Sequence, residues 1–184
     1  MYNGLINVYI EPGFTSMDAA WKKYETFYGG NAMIELNPKI KKALNEIDFV
    51  KRYESLSKRY NNPDITPNDR LVYIDGEEVM DMIKKLGYSP LFDSKEKFYK
   101  INEEKIGDYT FGVHIILAYG MVDLVWVVKE KGELLLGAPW GTYSRRLINI
   151  DYKIKKPIIT SYDDIEEILK DSFEMYEDFK KAIC

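Results

Sequence analysis

Few residues of this chain have types and spacings that could support catalysis or metal binding. His114 is the only histidine, and it stands in an apolar run between Val113 and Ile115. One histidine cannot supply a histidine-rich zinc site or most catalytic triads. Cys184, the only cysteine, is the last residue, where a chain commonly frays. We therefore expect no catalytic residue, no metal and no cofactor, and a protein that is not an enzyme.

The glycine-bearing segments do not match a phosphate-binding loop. Gly29-Gly30-Asn31 and the segment from Gly137 to Gly141 fit neither the Walker nor the dinucleotide pattern. Pro139 in the second segment also lacks the amide donor that a phosphate cradle would use. Both segments are interpreted as structural turns.

The most regular carboxylates lie in the last segment of the chain. At about 100° per residue, acids spaced 3-4-3-4 form one line along a helix. The helix dipole favours acids in the first turn but disfavours Glu174 and Glu177, which stand near the C-terminal end. A stripe on a single helix diverges into water, which makes it a poor metal site. It is either a solvated face or a surface for a cationic partner. We call it the acidic stripe: Asp164, Glu167, Asp171, Glu174 and Asp178.

A second candidate site is the segment Trp140-Gly141-Thr142-Tyr143-Ser144-Arg145-Arg146, predicted to be a loop after a strand. Tryptophan, tyrosine and arginine are enriched at the energetic centres of protein interfaces, and paired arginines also suit a phosphate or nucleotide. In a third interpretation, Trp140 packs under the sheet edge and the arginines pair with the acidic helix. The predicted partner-binding residues are Glu167, Asp171, Glu174, Glu177, Asp178, Trp140, Tyr143, Arg145 and Arg146.

Composition limits the class of partner and the compartment. The 184 residues are 46% apolar and 30% charged, with a net charge of −4, which disfavours binding to nucleic acid or to an anionic membrane. The fifteen tyrosines suit strands and interfaces. The lone cysteine fits a reducing compartment, and Gly120 and Asp123 interrupt the longest apolar stretch. We expect a cytoplasmic protein with no signal peptide and no membrane partner.

The order of the predicted elements indicates an α+β protein. Apolar spacing predicts helices over residues 16–28, 38–60 and 77–86, and a helix from the cap at Ser161 onwards. Short strands are predicted over residues 5–10, 71–74, 109–118, 121–129, 133–138 and 147–152. Glycine-bearing turns join the middle strands, which is typical of an antiparallel meander. We predict one domain over residues 1–184, with a meander sheet of about four to six strands packed with N-terminal helices and a C-terminal amphipathic helix.

The closing segment carries a resemblance. Following Trp140-Gly141, the stretch Pro157-Ile158-Ile159-Thr160-Ser161-Tyr162-Asp163-Asp164-Ile165-Glu166-Glu167-Ile168-Leu169 resembles the close of many small bacterial immunity proteins. Such proteins neutralise cognate toxins in competition between bacteria. The resemblance implies a non-catalytic protein that occludes a basic toxin domain. The alternative is a small-ligand-binding protein or an enzyme that uses the segment from Trp140 to Arg146.

Overall fold

The computed structural model of the chain describes residues 5–6 and 35–184. The predicted helix over residues 16–28 lies outside the described residues, as does the predicted strand over 5–10 apart from Leu5–Ile6. The described helices are α1 (Pro38–Glu46), α2 (Phe49–Arg59), α3 (Gly76–Lys85), α4 (Trp140–Leu147) and α5 (Tyr162–Ile183). The described strands are β1 (Leu5–Ile6), β2 (Ile74–Asp75), β3 (Pro90–Asp93), β4 (Phe98–Ile101), β5 (Glu104–Ile106), β6 (Tyr109–Ala118), β7 (Met121–Glu130) and β8 (Glu133–Pro139).

The main sheet is the predicted antiparallel meander. Its strand order is β3-β4-β6-β7-β8, with β5 pairing β6 beside β4, and β1 pairs β2 in a separate two-stranded ladder. The longest pairing joins β6 to β7, from Tyr109 opposite Glu130 to Ala118 opposite Met121. The α+β class and the position of the C-terminal helix are therefore confirmed.

Two tight turns define the central hairpins. Tyr119 and Gly120 connect β6 to β7 with φ values of 56° and 65°, and Lys131 and Gly132 connect β7 to β8 with 53° and 90°. Two-residue loops with positive φ match the right-handed twist of the flanking strands. Glycine suits the second position because it carries no Cβ.

The prediction of one helix over residues 38–60 is wrong, because the structure has two. Asp48, between α1 and α2, has a left-handed φ of 54°, which breaks the helical hydrogen-bond ladder. Asn37 caps α1 by accepting a hydrogen bond from the amide of Lys39. Each half has its own buried face, Ile40, Ala43 and Leu44 on α1 and Phe49, Tyr53 and Leu56 on α2.

The core lies between the sheet and a layer of helices. Helix α5 packs on α1, α2 and α3, and its predicted apolar face is buried at Ile165, Ile168, Leu169, Tyr176 and Phe179. Trp126 of β7 stacks on Phe179, with ring centroids 4.7 Å apart. Val125 and Val127, which point to the other face of the sheet, are buried as well. This confirms β7 as a central strand covered on both faces.

Candidate functional site

Helix α5, which carries the acidic stripe, begins at a capping box. The Ser161 hydroxyl accepts a hydrogen bond from the amide of Asp164, and the Asp164 carboxylate accepts one from the amide of Ser161. The same carboxylate accepts bonds from the amide and the hydroxyl of Thr160. Asp164 therefore serves the start of its own helix.

Most of the remaining stripe faces α2. The Tyr60 hydroxyl donates to Glu167 at 2.7 Å, while Arg59 pairs with Asp171 at 2.8 Å. Farther along, Arg52 pairs with Asp178 at 2.9 Å, and this hydrogen bond holds the pKa of the Asp178 carboxyl below its usual value.

These contacts form a polar seam between two helices, which neither interpretation of the stripe anticipated. The Asp171 and Asp178 side chains remain 32% and 44% exposed, so each pair adds little stability. Their main effect is to neutralise the acidic field of the helix.

Glu177 belongs to a separate polar network. The Tyr88 hydroxyl donates to its carboxylate, and Lys180 pairs with it at 2.8 Å. Partial burial alone would raise the pKa of the Glu177 carboxyl, but the hydrogen bonds from Lys180 and Tyr88 outweigh it and hold the pKa below its usual value. The buried Lys180 also pairs with Glu104 of β5. This network ties the C-terminal end of α5 to the sheet.

Glu174 differs from the other acids of the C-terminal half. Its side chain is exposed, and it forms no ion pair within the described part of the chain. Two open grooves flank this half of α5, and both include Asp178 and Lys181. The first groove, of about 640 Å³, lies between the α1–α2 junction and the end of α5. The second, of about 430 Å³, has Glu174 and the Tyr88 ring in its wall.

The prediction of a loop from Trp140 to Arg146 is wrong, because these residues form α4. Trp140 and Tyr143 are 1% and 0% exposed, so neither side chain is accessible to a partner. Trp140 packs edge-on against Trp126, with centroids 5.1 Å apart, in line with the interpretation that placed it under the sheet. Arg145 and Arg146 are half-buried on the same helix, so they do not form the predicted exposed loop surface.

Helix α4 packs at the end of the β7–β8 pairing, where a gap opens beside β7. Three alternate amides of β7 on this side donate to groups outside the sheet, although one of them, the amide of Trp126, still lies opposite Ala138 of β8. The Val122 amide donates to the carbonyl of Pro157, the Leu124 amide to the Asp123 carboxylate at 2.8 Å, and the Trp126 amide to the Tyr143 hydroxyl at 3.2 Å. The gap arises because β8 ends at Pro139 and the chain turns into α4.

Asp123 is the one buried acidic residue in the described part of the chain, at 4% exposure. Burial raises the pKa of its carboxyl, and Lys156 at 2.8 Å opposes that shift. Since Asp123 also satisfies the Leu124 amide, its position is explained by the sheet edge without catalysis. Asp123 is not among the residues predicted from sequence to have a function, although a carboxylate inside the apolar run over residues 121–128 indicates a buried polar contact.

His114 lies among charged groups on β6. Its ring stacks on Phe98 with centroids 4.4 Å apart. Burial lowers the pKa of His114 to about 4, with a smaller contribution from the nearby Lys100 ammonium. The imidazole is therefore neutral at pH 7, as befits a packed histidine.

The described residues contain no preformed metal-binding site. Over residues 35–184, no group of three or more His, Cys, Asp or Glu side chains is arranged to hold a metal ion. No helix among the described residues is long and apolar enough to cross a membrane.

No protein-family model matches the chain, and no curated protein or solved structure matches it either.

Proposed function

We propose that this chain is a non-catalytic binding protein that takes a protein partner on the C-terminal half of α5. The observation that carries the proposal is the pair of grooves on either side of this half, with the exposed Glu174 on the wall of one of them. Grooves beside an exposed helix can receive projecting side chains of a partner, which is how interface anchors are commonly buried.

The proposed partner is a basic toxin domain, and the chain acts as a cytoplasmic immunity protein that occludes it. Arg52 and Arg59 neutralise Asp178 and Asp171, so Glu174 is the acid in the C-terminal half of the stripe that forms no ion pair within the described residues. Glu46 and Asp48 on the wall of the first groove add two exposed carboxylates to this surface. Carboxylates of this kind raise the association rate of a cationic partner more than they raise its final affinity. The resemblance of the closing segment to small bacterial immunity proteins supports this choice of partner.

The experiment compares Glu174→Lys with the matched control Glu166→Lys. Both residues are exposed on α5, but Glu166 lines neither groove. The ligand is a basic toxin domain sought among the genes beside this one, and binding is measured by surface plasmon resonance at several salt concentrations. We expect Glu174→Lys to slow association about tenfold at low salt, whereas Glu166→Lys has a smaller effect.

Glu174 is a sharper position for this test than its neighbours. Reversal of Asp171 or Asp178 would also break an ion pair to α2, so a loss of binding could reflect a displaced helix. If Glu174→Lys binds with unchanged rates and unchanged salt dependence, this surface is not the binding face.

A further inference from the structure

One end of the sheet presents large apolar side chains to solvent. The turn between β6 and β7, the segment before β2 and the segment before α5 meet there. The Leu71 amide donates to the carbonyl of Ile159 at 2.8 Å, and the Ile159 amide donates to the carbonyl of Gly120 at 2.9 Å. Single exposed apolar residues are ordinary, but several at one place mark an interaction surface. The end patch comprises Val72, Tyr73 and Tyr119, which are 46%, 70% and 40% exposed.

Tyr119 occupies its turn position at a conformational cost. Its φ of 56° is left-handed, a region that asparagine and glycine tolerate and that a bulky residue rarely adopts. Lys131 holds the same position of the β7–β8 turn with a φ of 53°, so the left-handed φ by itself assigns no function. What distinguishes Tyr119 is its large ring, which is 40% exposed at the same end of the sheet as Val72 and Tyr73.

A basic residue, Arg70, lies beside Tyr119. A Cβ on Gly120 would collide with the Cβ of Arg70, which shows that the stem of Arg70 crosses this turn. Within residues 35–184, the buried Nε of Arg70 has no hydrogen-bond partner, and Arg70 forms no ion pair.

An acidic residue, Asp163, lies at the same end. The Tyr162 hydroxyl accepts a hydrogen bond from the amide of Asp75, which places the first turn of α5 beside the segment that carries Tyr73. Asp163 in that turn is exposed and has no ion-pair partner in the described structure. Among the residues that the structure describes, this end of the sheet thus carries exposed aromatic rings and an arginine and a carboxylate that form no ion pair.

We propose that this end of the molecule is a two-fold contact with a second copy of the same chain. In a two-fold contact the same patch occurs on both sides, so every pair of contacts occurs twice. The rings of Tyr73 and Tyr119 pack across the axis, and Arg70 of each copy pairs with Asp163 of the other. The charge complementarity within one patch is what favours a second copy over an unrelated partner.

The contact is separate from the surface proposed for a toxin. A helix of the length of α5 extends about 33 Å, with the end patch at its N-terminal end and the two grooves along its C-terminal half. A dimer would therefore present two toxin-binding surfaces at once, which raises avidity for a clustered partner. The test of the dimer needs only this chain, so its failure leaves the proposed function untouched.

Sedimentation equilibrium on the full chain, from about 1 to about 300 μM, measures the association. We expect the average mass to rise from that of a monomer towards twice that value. A monomer over the whole range would overturn the proposal. Ile150→Ser is the control, because Ile150 is an apolar side chain 63% exposed elsewhere, and this variant should associate like the parent. Equal weakening by Ile150→Ser would also overturn the proposal.

Tyr119→Asn tests whether Tyr119 acts in the dimer contact or only in the turn. Asparagine suits the left-handed turn, so the melting temperature should rise while the dimer dissociates about tenfold more readily. A more stable variant with unchanged association would exclude Tyr119 from the contact and overturn the proposal. Tyr73→Ser, at the most exposed position of the patch, should weaken association without changing the melting temperature.

A charge exchange tests the ionic pair. Arg70→Asp and Asp163→Arg should each weaken the dimer, and the double variant should restore most of the association because the pair is re-formed in reverse. If the single variants remain folded and the double variant does not recover, the pairing of Arg70 with Asp163 is wrong.

Discussion

Replacement of Tyr143 by phenylalanine tests the role of α4 at the gap in the sheet. The Tyr143 hydroxyl accepts a hydrogen bond from the Trp126 amide at 3.2 Å and donates one to the Trp126 carbonyl at 3.0 Å. Both residues are fully buried, so water cannot replace the lost hydroxyl without opening the core. The substitution leaves the ring in place and removes one oxygen atom.

The magnitude follows from the two hydrogen bonds that are lost. Trp126 stays opposite Ala138 of β8, so its backbone groups are not left without a neighbour, and each lost bond costs about 0.5–1.5 kcal/mol. Tyr143→Phe should therefore lower the free energy of unfolding by about 1–3 kcal/mol. For a chain of this length, that corresponds to a fall in melting temperature of about 2–12 °C. The amide of Trp126 should also exchange its hydrogen faster than in the parent.

Tyr176→Phe is the matched control. Tyr176 is equally buried, but its hydroxyl has no hydrogen-bond partner among the described residues. Removal of a buried hydroxyl without a partner should leave stability unchanged or raise it by about 1 kcal/mol. Urea unfolding followed by circular dichroism measures both variants. If the two substitutions lower the free energy of unfolding equally, or if Tyr143→Phe lowers it by less than about 0.5 kcal/mol, the hydrogen bonds of the Tyr143 hydroxyl do not stabilise this edge of β7.

Two further predictions concern a turn and a histidine. Gly120→Ala should lower the free energy of unfolding by about 3 kcal/mol, and Gly132→Ala by about 1 kcal/mol. Both glycines have positive φ, but only a Cβ at residue 120 would collide with another residue, Arg70. If urea unfolding shows equal losses of stability for the two variants, the collision with Arg70 does not occur. Folding lowers the pKa of His114 from 6.5 to about 4, so as the pH falls the unfolded chain binds a proton before the folded chain does. The free energy of unfolding should therefore decrease between about pH 6.5 and pH 4, by up to about 3 kcal/mol. His114→Gln should flatten this part of the pH profile, and an unchanged slope would assign it to other groups.

The central strands and the last helix could be predicted from sequence because their signals are local. β6, β7 and β8 combine β-branched and aromatic residues with glycine turns, and Ser161 with Asp164 marks the start of α5. The observed bounds differ from the predicted ones by at most about one residue, except at the last turn of α5, for which no end was predicted.

Elements that depend on tertiary context were not predicted from the sequence. β3 is a four-residue edge strand that begins with Pro90, and proline weakens any strand signal. The predicted strand over residues 147–152 is absent, since Leu147 ends α4 and the segment after it forms no strand. The spacing of Trp140, Tyr143 and Leu147 is helical, and it would have identified α4 if the aromatic and arginine content had not favoured an interface loop.

The acidic stripe shows why a regular charge pattern does not identify a binding face by itself. Its spacing correctly placed five carboxylates on one side of a helix, but periodicity is blind to what the neighbouring helix carries. Arg52, Arg59 and Tyr60 lie along α2 and its cap, at positions that meet the stripe. Each carboxylate that finds such a partner contributes less to the external field, so the informative acid is the one left over. In this stripe that acid is Glu174, an exposed residue on the wall of a groove. Reversal of the charge of Glu174 alone therefore tests the proposed function better than reversal of the entire stripe, which would also break the ion pairs to α2.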